Sequence, residues 1–184
     1  MRALAYCAYQ FREIARRVVG SAAAVLTSPP YGEELPPPLR AILNPHVLPP
    51  RFLYLDLHMR RAGEGAFYGD DGRVALTVAM VRPLQLRGAV VFATTCFLAD
   101  GGPMLDALLS TGAGVMAGPG KNLGGGRRAL LGADLLALWV RRLLALGFSP
   151  AAALELGKRR LQLRREKTAA VLDALQFRLF EEGV

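Results

Sequence analysis

Phe52-Leu53-Tyr54-Leu55-Asp56-Leu57-His58 and Ala89-Val90-Val91-Phe92-Ala93-Thr94-Thr95-Cys96 decide the fold. Each is an apolar run that ends on a reactive side chain. A run apolar on both faces is what a strand needs when a parallel sheet is covered on both sides. In an open parallel sheet the C-terminal tips of the strands share one edge, and ligands bind there. A histidine and a cysteine brought together on that edge are the minimum equipment for a thiol nucleophile with its base. Their separation of 38 positions is enough chain to leave one strand and return to a parallel neighbour.

The flanking segments extend the pattern. Leu4, Cys7, Phe11, Ile14 and Val18 recur at three- and four-residue steps, which predicts an amphipathic helix stopped at Gly20, with Cys7 packed as a small hydrophobe. Residues 22–27 read as a short strand. Residues 29–50, with Pro36-Pro37-Pro38 and Pro49-Pro50, read as a rigid connector holding at most a helical turn around Leu39 to Leu43. Gly69-Asp70-Asp71-Gly72 is a turn signal, followed by a short strand or edge element at residues 74–77. A helix is expected from Met104 to Leu109, a strand over residues 114–117, and a glycine-rich loop around Lys121. A second helix is expected from Arg128 to Leu146. Ser149-Pro150 then opens a further helix, expected to run past Gly157 to about Phe180.

Alternating helices and apolar strands predict an α/β three-layer sandwich, with a mostly parallel central sheet and helices on both faces. A length of 184 residues suits one domain. Within it, residues 1–50 carry the first helix, short strand and connector, residues 51–148 the core, and residues 149–184 a basic amphipathic helix.

Composition narrows the setting. Hydrophobic residues make up 52% of the chain, enough for a proper core, yet no apolar run reaches the roughly 18 residues of a membrane span. Charges at Arg12, Glu13, Arg16 and Arg17 come too early for a secretory leader, so a cytoplasmic location is expected. Two cysteines, Cys7 and Cys96, exclude a disulfide framework, and they and the two histidines lack metal-ligand spacing. No metal or organic cofactor is expected. The formal charge of +8, mostly arginine, suits an acidic partner or nucleic acid, and equally a GC-rich genome. The basic stretch from Lys158 to Lys167 is the place where nucleic acid would be met. The apolar residues Leu161, Leu163, Val171, Leu172, Leu175, Phe177, Leu179 and Phe180 suit a partner helix or self-association.

The chemistry expected of the pair follows from position. A thiol at a strand tip beside a following helix has its thiolate favoured by the helix dipole and by a neighbouring imidazole. Backbone N–H groups of Cys96 and of the loop after His58 suit an oxyanion. The bland alternative is a buried structural cysteine and a histidine that caps a backbone group.

Residues 52 to about 160 resemble the caspase-like peptidase fold, and within it the bacterial CHAT branch. The succession carries the resemblance: Leu57-His58, Asp71-Gly72 with Leu76-Thr77, Val90 to Cys96, Leu105-Asp106-Ala107-Leu108, Gly112-Ala113-Gly114, Gly132-Ala133-Asp134 with Trp139, and Ala152-Ala153-Leu154. It implies a cysteine endopeptidase acting on protein or peptide, with Cys96 as nucleophile and His58 as general base. The oxyanion donors would be the N–H groups of Cys96 and Met59. A relative's acidic residue often receives a basic P1 side chain, and Asp56, Asp71 and Asp100 are the candidates here. The family's glycine after the histidine is replaced by Met59, and the Gln-Ala-Cys signature of caspases proper is absent. Dependence on an activating partner, or a catalytically silent binding or regulatory module, is the alternative those departures raise. Leu26-Thr27-Ser28-Pro29-Pro30-Tyr31 separately resembles the Ser-Pro-Pro-Tyr motif of DNA amino-methyltransferases. The aromatic-x-Gly-x-Gly cofactor pattern of those enzymes is missing.

Overall fold

A computed structural model gives the fold and describes residues 1–28, 40, 49–70, 72–120, 129–164 and 168–182. A six-stranded sheet runs through the middle in the order β2-β1-β3-β6-β7-β8. Its strands are β1 (Ala3–Cys7), β2 (Ala24–Thr27), β3 (Phe52–Asp56), β6 (Val90–Ala93), β7 (Gly114–Ala117) and β8 (Arg178–Phe180). Five are parallel, and β8 closes one edge antiparallel to β7. A separate hairpin is made by β4 (Ala66–Tyr68) and β5 (Val74–Thr77).

Period-two alternation sorts each central strand onto two cores. Leu4, Tyr6, Leu53, Leu55, Val91 and Val115 face the hairpin, the short helix α2 (Val78–Val81) and α3 (Pro103–Ser110). Ala5, Cys7, Phe52, Tyr54, Phe92 and Met116 face the helices α1 (Arg12–Val19), α4 (Gly132–Ala145), α5 (Pro150–Gln162) and α6 (Ala169–Ala174). The molecule is therefore a three-layer α/β sandwich, as the pattern predicts. Tyr6 donates its hydroxyl to the Ala75 carbonyl at 3.2 Å, which ties the hairpin to the sheet beneath it. Ser149 caps α5 by accepting the Ala152 N–H at 3.3 Å, with Pro150 at the first position.

Several elements depart from expectation. Leu4 and Cys7 lie on β1, Phe11 ends a one-turn 3-10 segment (Tyr9–Phe11), and only Ile14 and Val18 belong to α1. A strand buried on both faces is continuously apolar, and by chance its residues also match helical steps. The final helix stops at Gln162, where Leu163 is exposed; Thr168 caps a new helix and Phe177 leads into β8. The helix expected from Arg128 begins at Gly132. Strand β3 ends at Asp56, two residues before His58. The connector's tri-proline and, Arg40 apart, its expected turn at Leu39 to Leu43 lie outside the described residues, as do Asp71, Lys121, Lys167 and the Pro29-Pro30-Tyr31 half of the methyltransferase-like motif.

Candidate functional site

The edge where the two signature strands end is built by their shared register. β3 and β6 are adjacent and parallel, with Leu55 and Ala93 as the last paired rung. One further bond, Thr94 N–H to the Leu55 carbonyl at 2.9 Å, extends the ladder. His58 and Cys96 each stand three residues beyond that rung. At the intervening level Thr94 Oγ1 donates to Asp56 Oδ1 at 2.9 Å.

The chain then leaves the sheet at Leu57. His58 exchanges both backbone bonds with Tyr68 of the hairpin, N–H to O at 2.9 Å and the reverse at 2.8 Å. Leu57 and Met59 bury their side chains in the core on the hairpin side. The imidazole of His58 takes the opposite direction and meets the segment after β1. Its ring lies 5.5 Å from that of Phe11. Its Nε2 is 3.2 Å from the side-chain nitrogen of Gln10 and 3.4 Å from Asp70 Oδ1. The Met59 side chain, 5% exposed, thus points into the core rather than into the space beside the imidazole.

Cys96 is half-buried at the start of a sharp reversal. Phe97, directly after it, has φ of 63°, in the left-handed region that few side chains other than glycine adopt. Its N–H donates to the Gly120 carbonyl at 2.6 Å. Asp100 completes the brace by accepting the Gly120 N–H at 3.1 and 3.3 Å. The reversal begins at Phe97 and continues through Gly101 and Gly102, both also at positive φ. Gly102, with φ of 113°, packs against the loop that follows His58: a Cβ there would lie 2.7 Å from Gly63 Cα. The loops after the two reactive residues are in direct contact.

A buried polar cluster lies beside these tips. Asp56 and Asp134 are 7% and 1% exposed, and the Tyr54 hydroxyl bridges them at 3.3 and 2.7 Å. Burial, and then the charge of Asp134, push the Asp56 carboxyl well above its ordinary range. Burial and the same two carboxylates push the Tyr54 phenol upward. Of the three carboxylates considered for a substrate, Asp56 is therefore occupied inside the protein and Asp100 holds a loop, while Asp71 lies outside the described residues. Cys7 is fully buried, and burial with the charges of Asp56 and Asp70 raises its thiol to about 12. Gln10, Asp70, Tyr54, Thr94 and Asp134 were not candidates on sequence grounds. The Gly69–Gly72 turn signal and the Gly132-Ala133-Asp134 helix start mark the places of Asp70 and Asp134, without saying what faces them.

Among the described residues, no three His, Cys, Asp or Glu side chains gather as a metal site, and no helix is long and apolar enough to cross a membrane. No protein-family model matches the chain, and no curated protein matches it either.

Proposed function

We propose that the chain is a caspase-like, CHAT-type cysteine endopeptidase. The observation that supports this most is the common offset of His58 and Cys96, three residues each beyond the last rung of adjacent parallel strands. The order of a strand toward His58, a hairpin, a strand toward Cys96 and then a helix agrees with the reading.

In the proposed reaction His58 removes the thiol proton of Cys96 and the thiolate attacks the scissile carbonyl. The N–H groups of Cys96 and Met59 receive the oxyanion. The imidazolium then gives its proton to the leaving amine, leaving a thioester. Water, deprotonated by the same imidazole, hydrolyses the thioester and restores the thiol. The substitution of Met59 for glycine leaves a backbone N–H in place, and its side chain is turned inward. A protein or peptide substrate and a cytoplasmic setting belong to the same proposal.

A panel of fluorogenic peptides assayed with wild type, Cys96→Ala and His58→Ala tests it. Turnover is expected in wild type, with about 10²–10⁴-fold loss on removal of the base and loss to background on removal of the nucleophile. A catalytically silent module of the same architecture is the second reading, favoured by Met59 standing where the resembled family has glycine. Absence of turnover with every peptide would support that module.

A further inference from the structure

The imidazole of His58 is held by groups from two other elements, and they bear on which of its nitrogens can act. Asp70 sits in the turn between β4 and β5. The turn is closed by Gly69 N–H to the Arg73 carbonyl at 2.9 Å and Gly72 N–H to the Gly69 carbonyl at 3.1 Å. The carboxylate is pinned from the other side, since its Oδ2 accepts the backbone N–H of Gln10 at 2.7 Å. Oδ1 is thereby left 3.4 Å from His58 Nε2. The backbone of His58 is fixed to the same hairpin by its two bonds with Tyr68. Asp70 and the backbone of His58 are thus both bonded to one hairpin, and the carboxylate is bonded to the segment after β1 as well.

We infer that Asp70 is the positioning residue that keeps the proton on Nε2 of His58, leaving Nδ1 as the nitrogen that accepts the proton of the Cys96 thiol. This rests on the proposed pairing of His58 with Cys96. A neutral imidazole carries one N–H, and the bond made by one nitrogen determines what the other offers. The carboxylate accepts from an Nε2–H. The Gln10 amide competes for the same nitrogen, because its NH₂ can donate only to an unprotonated Nε2. Hydrogen bonds to an ionised group are roughly twice as strong as neutral ones, so the carboxylate prevails, and the Gln10 amide turns its oxygen toward the ring. In the transfer itself the Sγ–H bond of Cys96 breaks and an Nδ1–H bond forms. The resulting imidazolium keeps Nε2–H on Asp70, and the proton on Nδ1 later passes to the leaving amine.

Long-range ¹H–¹⁵N correlation of the imidazole reads the tautomer without any turnover. The chain has two histidines, so a His46→Gln variant assigns the signals. Wild-type His58 is expected to show Nε2 protonated and Nδ1 bare. In Asp70→Asn the balance should move toward Nδ1–H, with peptide hydrolysis and Cys96 alkylation each falling about tenfold or more. Gln10→Ala should retain the wild-type tautomer. A wild-type His58 protonated at Nδ1, or an Asp70→Asn tautomer identical to wild type, overturns the inference. Unfolding midpoints of all variants separate loss of fold from loss of positioning. A tautomer shift without peptidase activity in any variant would remove the proposed function and leave the positioning role. Hydrolysis unchanged by Asp70→Asn would keep the function and remove the role of Asp70.

Discussion

Cys7 and Cys96 present the same thiol in opposite surroundings. Cys7, on β1, is buried in the core shared with α1, and burial together with Asp56 and Asp70 raises it to about 12. Cys96 is half-exposed at the head of a reversal. Thiolate reactivity follows both exposure and pKa. Iodoacetamide at pH 7.5 should therefore modify Cys96 in the native protein and spare Cys7 until denaturant is added, as peptide mass mapping will show. Comparable native labelling at Cys7 would contradict this. Asp56 carries the complementary prediction. Its folded-state pKa stands above the ordinary 3.8, so the folded chain binds more protons than the unfolded one between those values. Its contribution is most favourable in acid and is lost as pH rises through the raised pKa. Asp56→Asn should accordingly be more stable than wild type at pH 8, by about 1 kcal/mol or more. The difference should shrink toward pH 4, as measured by urea unfolding at each pH.

At the scale of elements, the two loops that frame the site lock together through a glycine. Gly102 has φ of 113° and lies against the Gly63 backbone, so a methyl group meets both backbone strain and collision. Gly102→Ala should cost about 1–3 kcal/mol and slow Cys96 labelling in parallel; a variant with wild-type melting and labelling would refute the lock. Much at this scale was legible. β3, β6 and β7 declare themselves as short, continuously apolar runs, and Ser149-Pro150 announces α5. The N-terminal segment was not legible, because Ala3 to Cys7 is buried on both faces and also obeys helical spacing. The C-terminal segment failed for another reason. Gly157 is a close-packing residue, where a Cβ would lie 2.9 Å from Leu136 Cδ1, and the helix does run through it, yet that helix stops at Gln162 and a new one starts at the Thr168 cap. Nothing in local propensity foretells that Arg178 to Phe180 will seal the open edge of β7. That edge is a tertiary demand, since an unpaired strand leaves a row of unsatisfied backbone groups.

Across the whole molecule, the sheet divides two cores and brings distant chain segments to one rim. Phe92 and Phe177 stack at 5.0 Å between ring centres, and this contact anchors the C-terminal segment to the central strand. Phe177→Ala should cost about 3–5 kcal/mol, visible in the denaturation midpoint; a loss well under 1 kcal/mol would show that β8 docks without it. The placement of His58 and Cys96 beyond the ends of two adjacent strands was legible because register carries it: two apolar runs need only lie side by side in parallel. The surroundings of the imidazole were not legible. Gln10 and Asp70 arrive from a 3-10 turn and a hairpin, and no spacing along the chain encodes that meeting. Asp134, likewise, reaches Tyr54 only once α4 has packed on the sheet.

The measurement that bears most directly on the proposed peptidase is covalent capture by peptidyl acyloxymethyl ketones, with the adduct located by mass mapping. A single thioether is expected at Cys96, formed rapidly in wild type and slowed about 10²-fold or more in His58→Ala. No adduct, an adduct on Cys7, or a Cys96 rate indifferent to the loss of His58 would contradict it.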